Sequence, residues 1–185
     1  SSSRDISVQV QQGNAKQLKG SQRSSITLRV WNKNNQVGIT STSDLTSEGI
    51  KKAIRGAIEA SLFGNAKESP EFSSLAKTKL EVKNPRIFDS HSIDELLSIL
   101  KNAEKKLINT HKSIDSVPYN GLNESYMERI YINSEGANRH MKLSHSSIYL
   151  YAKSEQENKK PRSAGAIRIN SNLKELDIDS CIKET

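Results

Sequence analysis

"GITSTSDLTSEGIKKAIRGAIEAS", Gly38 to Ser61, passes from alternating apolar residues through a turn rich in hydroxyls into an amphipathic helix. A strand, a Ser/Thr turn and a helix N-terminus also make up many phosphate sites, so the reading of this stretch bears on fold and function together. A phosphate loop needs glycines where the backbone approaches its ligand, and none stands between Gly38 and Gly49. The turn is instead predicted to cap the helix through Thr46 or Asp44, with Glu48 in the first turn favoured by the dipole. Ile50, Ile54, Ile58 and Leu62 recur four apart, with Ala53, Ala57 and Ser61 beside them. A helix over about 46–63 is therefore expected to bury that face on a sheet, closed by Gly64-Asn65.

Strands precede it. Ile6, Val8 and Val10 alternate with polar residues up to a turn at Gly13-Asn14, a second short strand is expected over Lys16 to Ser21, and Ile26, Leu28 and Val30 alternate up to Trp31. After the break Asn32-Lys33-Asn34-Asn35 the pattern resumes at Val37 and Ile39, so the first 43 residues read as an antiparallel meander. Residues 65 to 89 form a polar connection with Pro70, Pro85 and a candidate strand at Thr78 to Val82. Ser92-Ile93-Asp94-Glu95 is a capping box that opens a second long helix over about 92–110, whose apolar face is Ile93, Leu96, Leu97, Leu100, Ala103, Leu107 and Ile108. Lys101, Lys105, Lys106 and Lys112 gather toward its C-terminal end, where the dipole favours cations.

Beyond it, Pro118 to Leu122 reads as a turn, and Ser125 to Asn133, His140 to Lys153 and Ala164 to Asn170 as strands, the first two joined by the hairpin turn Asn133-Ser134-Glu135-Gly136. The charged stretch Ser154 to Ser163 is expected to be an exposed loop. Leu173 to Thr185 carries Leu173, Leu176, Ile178 and Ile182 with no evident burial partner, and is expected to begin a connection to a further domain, with Cys181 on a frayed end. The predicted class is α+β: largely antiparallel sheets with two long amphipathic helices packed on them, residues 1–185 forming one domain of a longer chain.

The formal charge is +7, and the excess lies early: 14 of the 28 basic but only 8 of the 21 acidic residues occur by Ser92. Arg4, Lys16, Lys19, Arg23, Arg29 and Lys33 face only Asp5 across the first 43 residues, a pattern that suits either a basic module for nucleic acid and other polyanions or a solvated sheet face. Only Trp31 is available there to stack on bases, which disfavours a single-strand binder. One cysteine excludes an internal disulfide and fits a reducing, cytoplasmic setting, and no apolar run approaches a membrane span.

No catalytic constellation emerges. His91, His111, His140 and His145 are scattered, and His140 and His145, five apart on a strand, fall on opposite faces. There is no His-Glu dipeptide for a zincin helix and no G-x-S-x-G elbow, while Asp94 and Glu95 belong to the helix cap. The sequence therefore offers no catalytic, cofactor-binding or metal-binding residues.

The segment Ile26 to Ala60 resembles the N-terminal domain of the PmbA/TldD family: a strand ending in an apolar pair at Val30, Gly38 in the next strand, the turn Ser43-Asp44-Leu45-Thr46, and a helix carrying Ile50, Ala53 and Ala57. Downstream, Arg86-Ile87-Phe88-Asp89, Asn133-Ser134-Glu135-Gly136 and Leu176-Asp177-Ile178-Asp179 are similar to the family's entry to its second helix, its hairpin and its passage to the next helix. The turn looks closer to the PmbA type than to the TldD type. The resemblance implies a scaffold or assembly domain in a two-subunit metallopeptidase that matures or degrades small peptides, a group also named modulators of DNA gyrase. It further implies a second family subunit as partner, in a homodimer or heterodimer, a peptide substrate, and zinc held by the catalytic subunit outside the residues matched here.

Overall fold

Ile6, Val8 and Val10 lie along one face of strand β1 (Ser2–Gln11), and all three are buried, as strict alternation requires of a strand with one covered face. The computed structural model describes residues 1–65, 74–77 and 90–185. The candidate strand at Thr78 to Val82, Pro70, Pro85 and Arg86-Ile87-Phe88-Asp89 lie outside the described residues. The order along the chain is β1, β2 (Asn14–Ser24), β3 (Ile26–Trp31), β4 (Val37–Thr42), α1 (Ser47–Ser61), α2 (Ile93–Thr110), β5 (Ile114–Ile132), β6 (Asn138–Ser154), β7 (Arg162–Asn170) and α3 (Ile178–Glu184), with single 3-10 turns at Ser74–Lys77 and Leu173–Glu175. This is the expected α+β class.

The first four strands do not form one meander. β1 and β2 belong to a five-stranded sheet of order β2-β1-β5-β6-β7, whereas among the described residues β3 and β4 pair only with each other, antiparallel, with Val30 opposite Gly38 and Leu28 opposite Thr40. The chain divides into two compact units. One comprises Ser1–Ser3, Gln22–Asn84 and Glu128–Met141, the other Arg4–Ser21, Pro85–Met127 and Lys142–Thr185.

In the first unit α1 packs on the β3-β4 ribbon through its small residues. Gly49, Ala53, Ala57 and Ser61 are buried, while Ile54, Ile58 and Leu62, expected inside, are 42%, 49% and 63% exposed. The reason is a very close approach of backbones: a Cβ built on Gly38 would lie 1.9 Å from the Ala57 carbonyl oxygen and 2.4 Å from the Ser61 nitrogen. At that separation only small side chains fit between helix and ribbon, so the isoleucine ridge turns aside. Thr40 Oγ1 donates to the Ala53 carbonyl at 2.8 Å and fixes the helix in register.

In the second unit one cluster joins Ile6, Val8 and Val10 of β1, Leu96, Leu100, Ala103 and Leu107 of α2, and Val117, Leu122, Ile148, Leu150 and Ala152 of the central strands. Each such large side chain contributes about 1.5–3 kcal/mol on leaving water. Leu173, Leu176, Cys181 and Ile182 complete the cluster, which corrects the expectation of an unburied C-terminal segment and a frayed Cys181. Another correction concerns Pro118 to Leu122, which is not a turn but part of β5. Proline brings no N–H to a ladder, and the buried side chain of Asn120 supplies substitute bonds: its Oδ1 accepts from Val10 N–H at 2.9 Å and its Nδ2 donates to the Val10 and Val117 carbonyls at 3.0 and 3.3 Å. None of the lysines of α2 lies in its last turn; Lys106 instead meets Asp179 of α3 at 3.0 Å.

Candidate functional site

The turn before α1 is built for capping. Thr46 Oγ1 accepts from Gly49 N–H at 3.1 Å, while Asp44 Oδ1 accepts from both Thr46 N–H and Thr46 Oγ1–H, at 3.0 and 2.6 Å. The Thr46 hydroxyl, with its backbone N–H, holds the Asp44 carboxyl below its ordinary value. Thr46, one of the two residues expected to cap α1, does so, and the Asp44 carboxylate lies beside Gly49 in the first turn. The capping box of α2 is likewise formed, with Ser92 Oγ accepting from Glu95 N–H and Glu95 Oε2 accepting from Ser92 N–H and hydroxyl.

The histidines are placed apart. His91 and Glu124 form a largely covered pair: the carboxylate meets the His91 ring Nδ1 at 2.7 Å and accepts from its backbone N–H at 3.1 Å. His140 meets Glu128 across the β5-β6 hairpin, and His111 meets the hydroxyl of Ser113. Cys181 is buried, its thiol pushed up by burial and directed at the Ala166 carbonyl. Among the described residues no group of three or more His, Cys, Asp and Glu is arranged to hold a metal ion. Zinc therefore finds no fitting donor set there. The cations of the first 43 residues are spread over β1, β2, β3 and the β3-β4 turn, and Arg4 is engaged by Ser90 Oγ at 2.7 Å.

Two arrangements escaped the sequence reading. Glu104 sits within the apolar stripe of α2, only 3% exposed, and accepts from the N–H groups of Gln12 and Gly13 at 3.1 and 2.8 Å, both of which have positive φ in the β1-β2 turn. A lone carboxylate between Leu100 and Leu107 on that stripe was its available signal. The second is an apolar face left open on β5, β6 and β7. Tyr119 and Tyr151 meet edge to face with ring centres 5.8 Å apart, Tyr149 stands opposite Ile167 and Ser147 opposite Ile169. Gln9 Nε2 donates to the Tyr149 hydroxyl at 2.7 Å, and the Tyr149 ring lies so close over Gly121 that a Cβ there would be 2.4 Å away. Tyr119, Ile167 and Ile169 are each more than half exposed. Contiguous apolar surface of this kind marks interaction sites in soluble proteins.

The fold is α+β, its buried Asn120 and Glu104 hold backbone groups, and its apolar face on β5, β6 and β7 is exposed. The model of the PmbA/TldA metallopeptidase central domain matches residues 86–185, and that of PmbA/TldA metallopeptidase domain 1 matches residues 1–61. The chain belongs to this family, the PmbA/TldD family of the sequence reading. Among solved structures it is similar to a candidate modulator of a DNA gyrase from Thermotoga maritima, at 16% identity and a TM-score of 0.79, covering 99% of this chain and 41% of that one. TldE from Thermococcus kodakarensis matches at 18% identity and a TM-score of 0.72, covering 98% and 41%. A candidate modulator of DNA gyrase from Bacteroides thetaiotaomicron matches at 14% identity and a TM-score of 0.78, covering 98% and 42%. These likenesses show a shared fold, and the chain spans about two fifths of each structure's length. No curated protein matched. No helix among the described residues is long and apolar enough to cross a membrane.

Proposed function

We propose that this chain is a scaffold and assembly part of a PmbA/TldD-type peptidase subunit that works on small peptides in the cytoplasm, paired with a second family subunit. The observation that carries the reading is the pair of family matches over residues 1–61 and 86–185. The open face around Tyr119, Tyr151, Ile167 and Ile169 supports an assembly role, because its burial against a partner is favourable. Zinc, in this reading, is held by parts of the assembly outside these residues, and the paired histidines and glutamates here serve the fold.

The purified chain is expected not to cleave an unfolded peptide; cleavage abolished by a chelator would overturn the scaffold reading. Sedimentation with a second family subunit should show a complex. The substitutions Tyr151→Glu and Ile167→Glu should weaken it by about tenfold or more while leaving the circular dichroism spectrum unchanged. Association unaffected by either change would remove this face from the interface.

A further inference from the structure

Among the described residues, strand β2 is an open edge. It is the outermost strand of the five-stranded sheet, hydrogen-bonded on one side to β1. Every residue from Asn14 to Gly20 is exposed, and residues 14–21 make no backbone bond outside strand pairing among the described residues. On such an edge every second residue turns its N–H and C=O outward, a row of groups that another extended chain can satisfy. Natural edges are blunted by proline, by brevity or by charge. This one has no proline and is long, but carries Lys16 and Lys19, neither with a carboxylate partner among the described residues, and no acidic residue.

The charge decides which chain fits. A second copy pairing edge to edge would set lysine against lysine, which like-charge repulsion disfavours. An acidic strand gains the same backbone bonds and neutralises both lysines. Lys16 and Lys19, three apart, point to opposite faces of the sheet, so the fitting strand carries carboxylates on both of its faces. We propose that residues 14–21 of β2 form a docking edge for an extended acidic polypeptide segment, which adds to the sheet as a sixth strand. The inference rests on the edge and its charge, independently of the peptidase reading.

The test uses three labelled peptides of about eight residues in a Val/Thr background: one with glutamates three apart, its glutamine counterpart, and the glutamate peptide N-methylated at alternate residues to block pairing. Binding to the whole chain is followed by fluorescence anisotropy, and backbone protection by hydrogen exchange. The glutamate peptide should bind, more weakly as salt rises, and should protect amides within 14–21. The glutamine peptide should bind about fivefold more weakly, and the double variant Lys16→Glu, Lys19→Glu should reverse that preference. The N-methylated peptide should not bind. Failure of the glutamate peptide to bind, equal binding of the N-methylated or glutamine peptide, an unreversed preference in the double variant, or protection confined to other strands would each overturn the proposal.

Discussion

Asn120 and Glu104 do at single positions what backbone usually does in pairs. Replacing Asn120 by Ala leaves the N–H and C=O of Val10 without their side-chain partners inside the sheet, and is expected to cost about 2–4 kcal/mol, read as a lower urea midpoint with unchanged slope. Glu104→Ala should cost about 1–3 kcal/mol by releasing the Gln12 and Gly13 amides, and should raise hydrogen exchange at the β1-β2 turn before it does so elsewhere. Acid stability gives a third check. Glu95, held below its ordinary 4.5 first by the backbone N–H of Ser92 and then by its hydroxyl, stabilises the fold fully above that unfolded value. Its contribution is lost as pH falls through the lower folded value. Urea midpoints followed from about pH 5 down to about pH 2 should therefore decline less steeply in Glu95→Gln than in the parent chain. Both caps were legible because capping is local, a hydroxyl and an amide three residues apart. Asn120-Gly121 after a proline read as a turn because nothing in that stretch reveals that Val10 will lie beside it.

The helices tell the same story one level up. Periodicity located α1 and α2 to within two residues at their ends and put Ala53, Ala57 and Ser61 on the covered face of α1, but it put Ile54, Ile58 and Leu62 there as well. The large residues that dominate an apolar pattern are excluded where backbones nearly touch. Gly38→Ala should cost about 2–3 kcal/mol, because a methyl group has no room beside Ala57 and Ser61, whereas Gly20→Ala, with nothing within 4 Å, should be close to neutral. The double change Ile54→Gln, Ile58→Gln should lower stability by about 1 kcal/mol or less, as expected of half-exposed positions. In α3 the decisive fact is burial: Cys181 should react with a thiol reagent far more slowly in the native protein than in urea.

On the scale of the molecule, the sheet places the chain's first strand between β2 and β5, and this was the least legible feature. Alternation says that β1 has a covered face; it does not say which distant strand lies at its side, because that choice is made by the joint burial of Ile6, Val8 and Val10 with α2 and the later strands. The candidate interface was illegible for a related reason, since Tyr119, Tyr151 and Ile167 come together only through the β5-β6-β7 pairing. The family's central domain, residues 86–185, thus lacks two strands of its own sheet. Expressed alone, that segment should be poorly folded, with broad unfolding and dye-binding apolar surface, and adding a peptide spanning residues 1–24 should restore a cooperative transition.

The same interleaving imposes a timetable on synthesis. At a ribosomal rate of about 5–20 residues per second, the β1-β2 hairpin waits roughly 5–20 seconds after it emerges before β5 can be made beside it. Through that interval Ile6, Val8 and Val10 lie on a ribbon with no cover. Strand β1 is accordingly exposed to chaperone capture until the later elements are made, and of the elements in this cluster α3 is the last to be synthesised and to cover it.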